Sequence, residues 1–344
     1  MVRGAIVGLG NVALEGHLPG WMRRPDVAIV AATDVEPSRR AALQAQVPDA
    51  RWYADTDDLL AHEALDFVDV CTPPSTHAPV ATAALRSGVH VLCEKPLVIS
   101  PDELPPLAQL ADARGLVLHT VHNWHHAPII KRATELIAER AIGDVRRVVW
   151  QTLRTKPAAT RDGTHGNWRL DPARSGGGVL TDHGWHVFYV IRRWVGQTPT
   201  SVTARLETRR HTAWPVEDTA VVHLAFPHAT AEIVLTWAAD ERANRAEIVG
   251  TAGRLELRDD TIVFVRDGRE QQWPCPPALS NGSVHPDWFD PVIDQFLGEV
   301  TGAAKPDGNL AEAALCTTLE NLARESSRRG GSSMSVPAAP TTAW

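Results

Sequence analysis

Hydrophobic positions follow two different patterns along this chain. In the first 120 residues, short apolar runs without polar alternation are separated by Ala- and Leu-rich helical stretches. Uninterrupted apolar strands that alternate with helices are typical of a parallel sheet covered on both faces. The runs are GAIVGLG (4–10), DVAIVAATD (26–34), ALDFVDVCTPP (64–74), GVHVLCEKP (88–96) and RGLVLHTVHN (114–123).

From about residue 145 onward, apolar and polar residues alternate in several segments. This pattern predicts a large, open, mainly antiparallel sheet with one face packed and one face free. The segments are RRVVWQTLRT (146–155), SVTARLETRR (201–210), DTAVVHLAFP (218–227), ATAEIVLTWAAD (229–240), RAEIVGTAGRLELRD (245–259) and TIVFVRDG (261–268). We therefore predict an α/β protein with a dinucleotide-binding Rossmann domain at 1–122. A substrate-binding and oligomerisation domain would follow at 123–344, with a ligand cleft between the two.

Composition narrows the class of protein. Hydrophobic residues make up 44% of the 344 residues, and the net charge is −7 with Lys and Arg well scattered, so a nucleic-acid surface is not expected. No apolar run is long enough to span a bilayer, and the N-terminus lacks signal-peptide architecture. The four cysteines form no CxxC pair, which favours a reducing, cytoplasmic setting.

The glycine-rich segment GLGNVA (8–13) follows the first predicted strand and precedes a helix-like stretch. Gly8 permits the tight turn, and Gly10 lets the backbone approach a pyrophosphate. Asn11 and Val12 begin the helix whose N-terminus faces the phosphates. A plain strand-to-helix turn is the alternative interpretation, but the strand context favours dinucleotide binding.

Asp34 ends the second predicted strand, near the distance at which an acid binds the adenosine ribose hydroxyls. Its carboxylate would accept hydrogen bonds from a free 2′-hydroxyl and repel a 2′-phosphate, and Glu36 would add to that repulsion. Arg39 and Arg40 would instead favour NADP, because an Arg can pair with its 2′-phosphate. We predict NAD as the cofactor, with NADP less favoured.

Glu94, Lys95 and Pro96 follow another strand of the same sheet directly. The carboxyl ends of parallel strands face the ligand crevice, so Lys95 would reach the nicotinamide and the substrate carbon. Its ammonium can stabilise an alkoxide, and Glu94 can hold the ammonium or contact the cofactor. A loop ion pair is the alternative interpretation of these residues.

Asp182 and His186 are four residues apart in SGGGVLTDHGWH (175–186), so a helix would place them on one face. A carboxylate beside an imidazole orients a general base and raises its pKa. This spacing is also common for a surface pair. Together with the glycine turn and Lys95, it is a plausible proton-transfer pair.

The sequence resembles a known family, the Gfo/Idh/MocA oxidoreductases, named for glucose–fructose oxidoreductase and inositol dehydrogenase. The resemblance extends over nearly the whole chain and rests on GLGNVA, CTPPSTHAP (71–79), CEKP (93–96), NWRLDPARSGGG (167–178) and the Asp182–His186 pair. It implies that Lys95 touches the substrate oxygen and that His186 is the acid/base, with Asp182 as its partner or as a substrate ligand. It also implies a homodimer or homotetramer formed through the C-terminal sheet.

The resemblance implies a set of binding residues as well. Those expected along the cofactor, beyond the glycine turn and Asp34, are Thr72, Pro73, His77, Glu94, Lys95, Trp168 and Arg169. Those expected at the substrate are Lys95, Asn123, Trp124, His125, Trp168, Asp182, Trp185 and His186. A Trp face can stack on a sugar, although most Trp residues fill cores.

Three positions depart from the family pattern. His125 and His126 stand where the family commonly has an Arg-Phe pair, and Trp185 replaces a small aliphatic residue. The histidines at 122, 125, 126, 165, 183 and 186 could suggest a metal, but no HExxH pattern occurs, so no metal is expected.

We therefore predict an enzyme that transfers a hydride between NAD(P) and a secondary alcohol or ketone of a sugar, cyclitol or derivative. Two alternatives stay open. One is a glycosidase of the same fold that uses bound NAD for transient oxidation and elimination. The other is a non-catalytic dinucleotide-binding regulator, which the presence of Lys95, Asp182 and His186 disfavours.

Overall fold

A computed structural model describes residues 1–160 and 166–337. Its first sheet contains six parallel strands. They are β1 (Val2–Val7), β2 (Val27–Thr33), β3 (Arg51–Tyr53), β4 (Phe67–Val70), β5 (His90–Cys93) and β6 (Leu118–Thr120). Their order, β3-β2-β1-β4-β5-β6, is that of a doubly wound dinucleotide-binding sheet. The crevice expected for a ligand lies at the carboxyl ends of β1 and β4, where the strand order reverses.

Five α-helices connect these strands. They are α1 (Leu18–Met22), α2 (Arg39–Gln46), α3 (Thr56–His62), α4 (His77–Arg86) and α5 (Leu104–Arg114). A π-helical segment, Val12–His17, leads into α1, and 3₁₀ turns at Pro74–Thr76 and Pro101–Glu103 precede α4 and α5. The Asp55 side chain accepts from the Asp58 N–H to cap α3, and Gly115 ends α5 in the left-handed conformation.

The second sheet has nine strands. They are β7 (Val145–Leu153), β8 (Ser201–Glu207), β9 (Thr219–Ala225), β10 (Thr230–Thr236), β11 (Ala243–Gly250), β12 (Arg254–Arg258), β13 (Thr261–Arg266), β14 (Arg269–Pro274) and β15 (Met334–Ser335). Their order is β14-β13-β12-β11-β7-β10-β9-β8-β15. All neighbours are antiparallel except β7 and β10. The predicted fold class is confirmed, although β3, β14 and β15 were not predicted.

The remaining helices cover one face of this sheet or join the two domains. The α-helices are α6 (Pro128–Ala138), α7 (Pro172–Ser175), α8 (Trp185–Val195), α9 (Pro286–Val300) and α10 (Asn309–Arg328). Shorter segments are the 3₁₀ turns Asn123–His126 and Trp168–Leu170 and the π-helical Leu180–Gly184. Helix α10 packs on β8, α8 on β7 and α6 on β13. Among the described residues, every helix is too short or too polar to span a bilayer.

Helix α9 packs against the first sheet although it lies late in the chain. Its Phe289, Ile293 and Phe296 share a buried cluster with Trp21 and Phe67 of the N-terminal part. The domain boundary between residues 122 and 123 stays a prediction. Helix α9 follows that boundary in sequence but packs against the domain that precedes it. This packing adds a late helix to the first domain.

Candidate active site

The cleft between the two sheets encloses about 490 Å³ and begins at the glycine turn after β1. Gly8 has φ +92°, and a Cβ on it would lie 2.8 Å from the Thr72 backbone nitrogen, so this position requires glycine. A Cβ on Gly10 would meet no atom within 4 Å. Gly10, Asn11 and Val12 all line the cleft. The open space beside Gly10 fits a phosphate held against bare backbone.

Asp34 lies at the carboxyl end of β2 and lines the same end of the cleft. Its Oδ2 accepts from the Leu9 N–H at 2.6 Å, and its Oδ1 accepts from the Glu36 N–H at 2.8 Å. These two bonds fix the carboxylate beside the glycine turn. Val35, which is 79% exposed, also lines this end and provides an apolar surface. The arrangement suits a ribose and its base.

The carboxyl end of β5 places Glu94 and Lys95 midway along the cleft. Glu94 Oε2 accepts from the Lys95 N–H at 2.9 Å, and Glu94 Oε1 lies 3.1 Å from His17 Nε2. The Lys95 Nζ donates to the backbone oxygen of Asp182 at 2.7 Å. The Lys95 and Asp182 segments therefore meet in the cleft, and a hydrogen bond across the two domains joins them.

His17 is a buried group that the sequence analysis missed. Its Nδ1 lies 2.9 Å from Asp69 Oδ2, opposite the contact with Glu94. Burial lowers the pKa of His17, but the Asp69 carboxylate and Cys71 outweigh that effect and raise it well above its usual value. An imidazolium that donates to both carboxylates satisfies this geometry. The available signal was Asp69, a carboxylate in the otherwise apolar strand β4.

Asp182 faces the cationic side chains of Lys95 and Arg169 and the ring of His183, rather than His186. Its Oδ1 lies 3.6 Å from Lys95 Nζ and 3.5 Å from Arg169 Nε, and its Oδ2 lies 3.4 Å from His183 Nε2. Burial raises the pKa of Asp182, but these three neighbours outweigh it and hold the pKa well below its usual range. Asp182 is therefore a carboxylate at any physiological pH.

The prediction that Asp182 contacts His186 is wrong. Asp182 and His186 both line the cleft, but in the described residues no ion pair or hydrogen bond joins them, because the Asp182 carboxylate is turned toward Lys95, Arg169 and His183. His186 instead stacks on Trp124, with ring centroids 4.5 Å apart, and its Nδ1 lies 2.8 Å from Tyr189 Oη. Burial first, and then Lys95 and His183, lower the pKa of His186 well below its usual value. Asp182 does act to raise the pKa of His186 as predicted, but burial, Lys95 and His183 outweigh it, and the partner that orients His186 is Tyr189 instead.

The other predicted residues divide into two groups. Those that line the cleft are Thr72, Pro73, Asn123, Trp124, Trp168 and Arg169. The Arg169 guanidinium also lies 4.3 Å from the centre of the Trp168 ring. Those that do not line it are His77, His125 and Trp185. The assignment of His77 to the cofactor and of His125 and Trp185 to the substrate is corrected accordingly.

Each of these three side chains has a partner or environment elsewhere. The two ring nitrogens of His77 lie 2.7 Å from Pro96 O and 2.8 Å from Thr72 O, so His77 joins the two loops that flank the cofactor end. His125 Nε2 lies 2.9 Å from Glu312 Oε2. Trp185 is fully buried, and its ring lies 6.0 Å from that of His122. His165, considered as a metal ligand, lies outside the described residues.

Several basic groups at the substrate end were missed. Arg154 follows β7, Arg242 precedes β11, and His285 precedes α9. All three line the cleft, as do Lys156, Arg174 and His183. Because these positions are far apart in sequence, only the fold brings them together.

The fold and cleft define a two-domain oxidoreductase with a dinucleotide-binding parallel sheet. Residues 2–122 match the oxidoreductase family with an NAD-binding Rossmann fold, and residues 130–256 match the GFO/IDH/MocA C-terminal domain. The chain belongs to the GFO/IDH/MocA family, as the sequence analysis suggested. It is an NAD(P)-dependent oxidoreductase.

Similar proteins include several sugar oxidoreductases. The dTDP-3,4-didehydro-2,6-dideoxy-alpha-D-glucose 3-reductase of Streptomyces antibioticus is 31% identical over 74% of this chain and 75% of its own length. The D-apiose dehydrogenase of Paraburkholderia graminis is 26% identical over 82% of this chain and 75% of its own. The crystal structure of GenD2 from gentamicin A biosynthesis in complex with NAD has a TM-score of 0.84, 26% identity and 98% and 97% coverage of the two chains.

Proposed function

We propose that the protein oxidises or reduces a secondary alcohol or ketone of a sugar, cyclitol or derivative at the point where the Lys95 and Asp182 segments meet. The hydrogen bond from Lys95 Nζ to Asp182 O carries this proposal, because it brings the end of β5 against the helix that holds His186. Trp124 and His186, which stack on each other, line the same part of the cleft. The names of the similar sugar reductase and dehydrogenase support a carbohydrate substrate.

The residues that hold NAD would be the glycine turn at one end and Glu94 and Lys95 at the other. Bound NAD supplies the hydride acceptor for oxidation, and its reduced form supplies the donor for reduction. Gly10 and the N-terminus of the helix after it would bind the pyrophosphate. Asp34 would bind the adenosine ribose, and Thr72, Pro73, Trp168 and Arg169 would lie along the cofactor.

His186 is suited to remove the hydroxyl proton in the oxidation direction. Its lowered pKa keeps the imidazole neutral, so it can accept a proton. For that role its Nδ1 carries the hydrogen and donates to Tyr189 Oη, which leaves the Nε2 lone pair for the substrate. Burial raises the pKa of Tyr189 well above its usual value, so this partner keeps its own proton.

Lys95 would stabilise the oxygen that develops negative charge as the hydride leaves. The Asp182 backbone oxygen directs its Nζ, and the Asp182 carboxylate lies 3.6 Å away. Glu94 accepts from the Lys95 N–H, and His17 in turn contacts Glu94. The backbone of Lys95 is thereby fixed from the first domain and its side-chain end from the second.

The direct test is a panel of sugars, cyclitols and their keto forms, assayed by the absorbance of reduced nicotinamide. We expect at least one neutral or acidic carbohydrate to give stoichiometric NADH formation. Release of an aglycone from a glycoside without net NADH would instead identify the redox-assisted glycosidase. Tight NADH binding with no turnover of any compound would indicate the non-catalytic regulator.

We further propose that NAD is preferred over NADP. The fixed Asp34 carboxylate would repel a 2′-phosphate and accept from a free 2′-hydroxyl. Asp34→Ser is expected to narrow or reverse the difference between the NADH and NADPH dissociation constants, measured by fluorescence titration. Tighter binding of NADPH by the unaltered protein would contradict the proposal and would point to Arg39 or Arg40.

We also propose that the chain forms a homodimer or homotetramer through the open face of the second sheet. The four cysteines are unpaired and buried, which supports a reducing compartment such as the cytoplasm.

A further inference from the structure

Two arginines stand directly opposite each other where β7 ends and β11 begins. Leu153 pairs with Ala243 in the antiparallel ladder, so the next position along each strand places Arg154 opposite Arg242. Both line the substrate end of the cleft. Like charges at directly opposed positions destabilise a sheet, so an unneutralised pair here calls for an explanation.

The bonds of both guanidinium groups go to uncharged acceptors. Arg154 is 3% exposed, and its Nη1 donates to Leu153 O at 2.8 Å and to Ala243 O at 3.0 Å. Arg242 donates to the backbone oxygens of Ser280 and Gly282. These bonds hold the groups in place without neutralising their charge. Within residues 1–160 and 166–337, the Nε of Arg154 has no hydrogen-bond partner.

The nearby carboxylates are occupied by other groups. Asp182 lies against Lys95, Arg169 and His183, as described above. Asp259 accepts from the backbone N–H groups of Asn244 and Ser280 and from the Ser280 hydroxyl. Neither carboxylate forms an ion pair with Arg154 or Arg242 in the described part of the chain. The substrate end therefore has an excess of positive charge.

Titration behaviour of the surrounding groups agrees with this excess. Burial, followed by Arg242, lowers the pKa of Arg154 to about 10. Burial, followed by Arg242 and Arg154, lowers the pKa of His285 to about 4. A bound anion would raise the pKa of both guanidinium groups, because an opposite charge stabilises their charged form.

We propose that the substrate carries an anionic group, a carboxylate or a phosphate, that binds between Arg154 and Arg242. Guanidinium groups recognise both oxyanions through paired N–H donors. The proposal rests on the proposed function, since it assigns a charge to the substrate of the same cleft. The dinucleotide phosphates have a separate place at Gly10, where the neighbouring Asn11 side chain donates to Ala159 O.

The test uses the full chain saturated with NADH, so that the dinucleotide phosphate site is filled. Binding of inorganic phosphate and of acetate is measured by calorimetry at constant ionic strength, set with chloride. Comparing the two anions identifies the charged group of the substrate. Tighter binding of phosphate indicates a phosphorylated substrate, and tighter binding of acetate indicates a sugar acid. Arg242→Met and Arg154→Met are expected to weaken the preferred anion by about tenfold or more each, the effect of losing a charge-assisted bond.

Two further variants keep the test decisive. Arg242→Lys retains the charge and should recover part of the affinity, whatever happens to the stability of Arg154→Met. Arg266→Met removes an exposed arginine at the end of β13, outside the cleft, and should leave anion binding unchanged. Equal anion affinity in the unaltered protein and in Arg242→Met, or no binding of either anion, overturns the proposal. Failure to bind NADH at all would refute the proposed function instead.

Discussion

One residue separates Gly8 and Gly10 in the first turn, but the fold requires glycine only at position 8. Gly8 combines a left-handed backbone with contacts under 3 Å for any added Cβ, so its role is conformational. Gly10 has open space where a Cβ would lie, so the fold itself tolerates a side chain there. The need for glycine at position 10 must come from what approaches its backbone.

Gly10→Ala should therefore separate folding from cofactor binding. We expect its urea unfolding midpoint to stay close to that of the unaltered protein, while NADH affinity, followed by fluorescence, falls by about tenfold or more because the methyl group displaces a phosphate. Gly8→Ala is the matched control and should lose stability as well. Unchanged NADH binding in Gly10→Ala would exclude the backbone of this turn as the phosphate site.

Lys95 and His186 are the residues whose loss should affect turnover most. Each alanine variant is expected to lose about two orders of magnitude or more in kcat, the usual contribution of general acid–base catalysis. NADH affinity should change far less, because the glycine turn and Asp34 remain. The measurement is steady-state turnover with any active substrate from the panel, after circular dichroism has shown each variant folded.

The control for this pair is His62→Ala, an exposed histidine of α3 outside the cleft. Its turnover should match that of the unaltered protein. Near-normal turnover in His186→Ala would contradict the acid/base assignment and direct attention to His183, which contacts Asp182 in the same cleft.

At the scale of elements, one imidazolium connects three segments of the first domain. His17 ends the π-helical segment after the glycine turn, Asp69 lies in β4 and Glu94 follows β5. Trp21 Nε1 adds a hydrogen bond to Asp69 Oδ2 at 2.7 Å. This buried set aligns the Lys95 loop with the turn that would hold the pyrophosphate. A buried pair of this kind costs about 3–5 kcal/mol when one partner is removed.

The raised pKa of His17 makes a prediction about stability at alkaline pH. A histidine whose pKa is higher in the folded than in the unfolded state stabilises the fold fully below the unfolded value of about 6.5. That contribution is lost as the pH rises from there through the folded pKa. We expect the urea midpoint to fall with rising pH in this window, and His17→Gln to remove most of that slope while lowering stability throughout.

His228→Gln, at an exposed turn between β9 and β10, is the control for this experiment and should keep the slope of the unaltered protein. Histidines with lowered pKa, such as His183 and His186, act in the acid direction. The buried thiols, whose pKa values are raised, act only above the unfolded cysteine value of about 8.5, so the slope just above pH 6.5 reports on His17. A flat alkaline profile in the unaltered protein would argue against the imidazolium.

At the scale of the whole molecule, periodicity identified most strands of both sheets but did not identify all the residues that meet in the cleft. Continuous apolar runs identified β1, β2, β4, β5 and β6, because central parallel strands are buried on both faces. The edge strand β3 is only partly buried and has no such run. Strand-end residues such as Asp34 and Lys95 could be located because the carboxyl ends of parallel strands meet at one edge.

The sequence did not reveal which way the side chains point or which distant residues meet in the fold. His77, His125 and Trp185 were assigned by residue type and neighbourhood, but their side chains point into the core or toward Glu312. Arg154, Arg242 and His285 come from three separate segments, and each alone resembles an ordinary surface charge. Their meeting depends on the register of β7 with β11 and on the start of α9.

Helices α6, α8 and α10 pack against the second sheet, and we expect its other face to mediate assembly. On the open face, Val221 of β9 lies directly opposite Val234 of β10, and both are half-buried. Charged residues such as Arg147 and Glu247 also lie on this face, so it is a mixture of apolar and charged groups. Such a mixture of apolar and polar groups is usual for protein interfaces.

The size of this face fits a stable interface. Nine strands about 4.8 Å apart and on average about six residues long, at about 3.4 Å per residue, give roughly 900 Å². Standard interfaces bury about 800 Å² per partner. We expect light scattering at micromolar concentration to give the mass of a dimer or tetramer. Val221→Asp combined with Val234→Asp should shift it to the monomer, because four carboxylates would meet at a two-fold contact. Met22→Asp, at an exposed position on α1, should leave the mass unchanged, whereas a monomeric mass for the unaltered protein would refute assembly through this face.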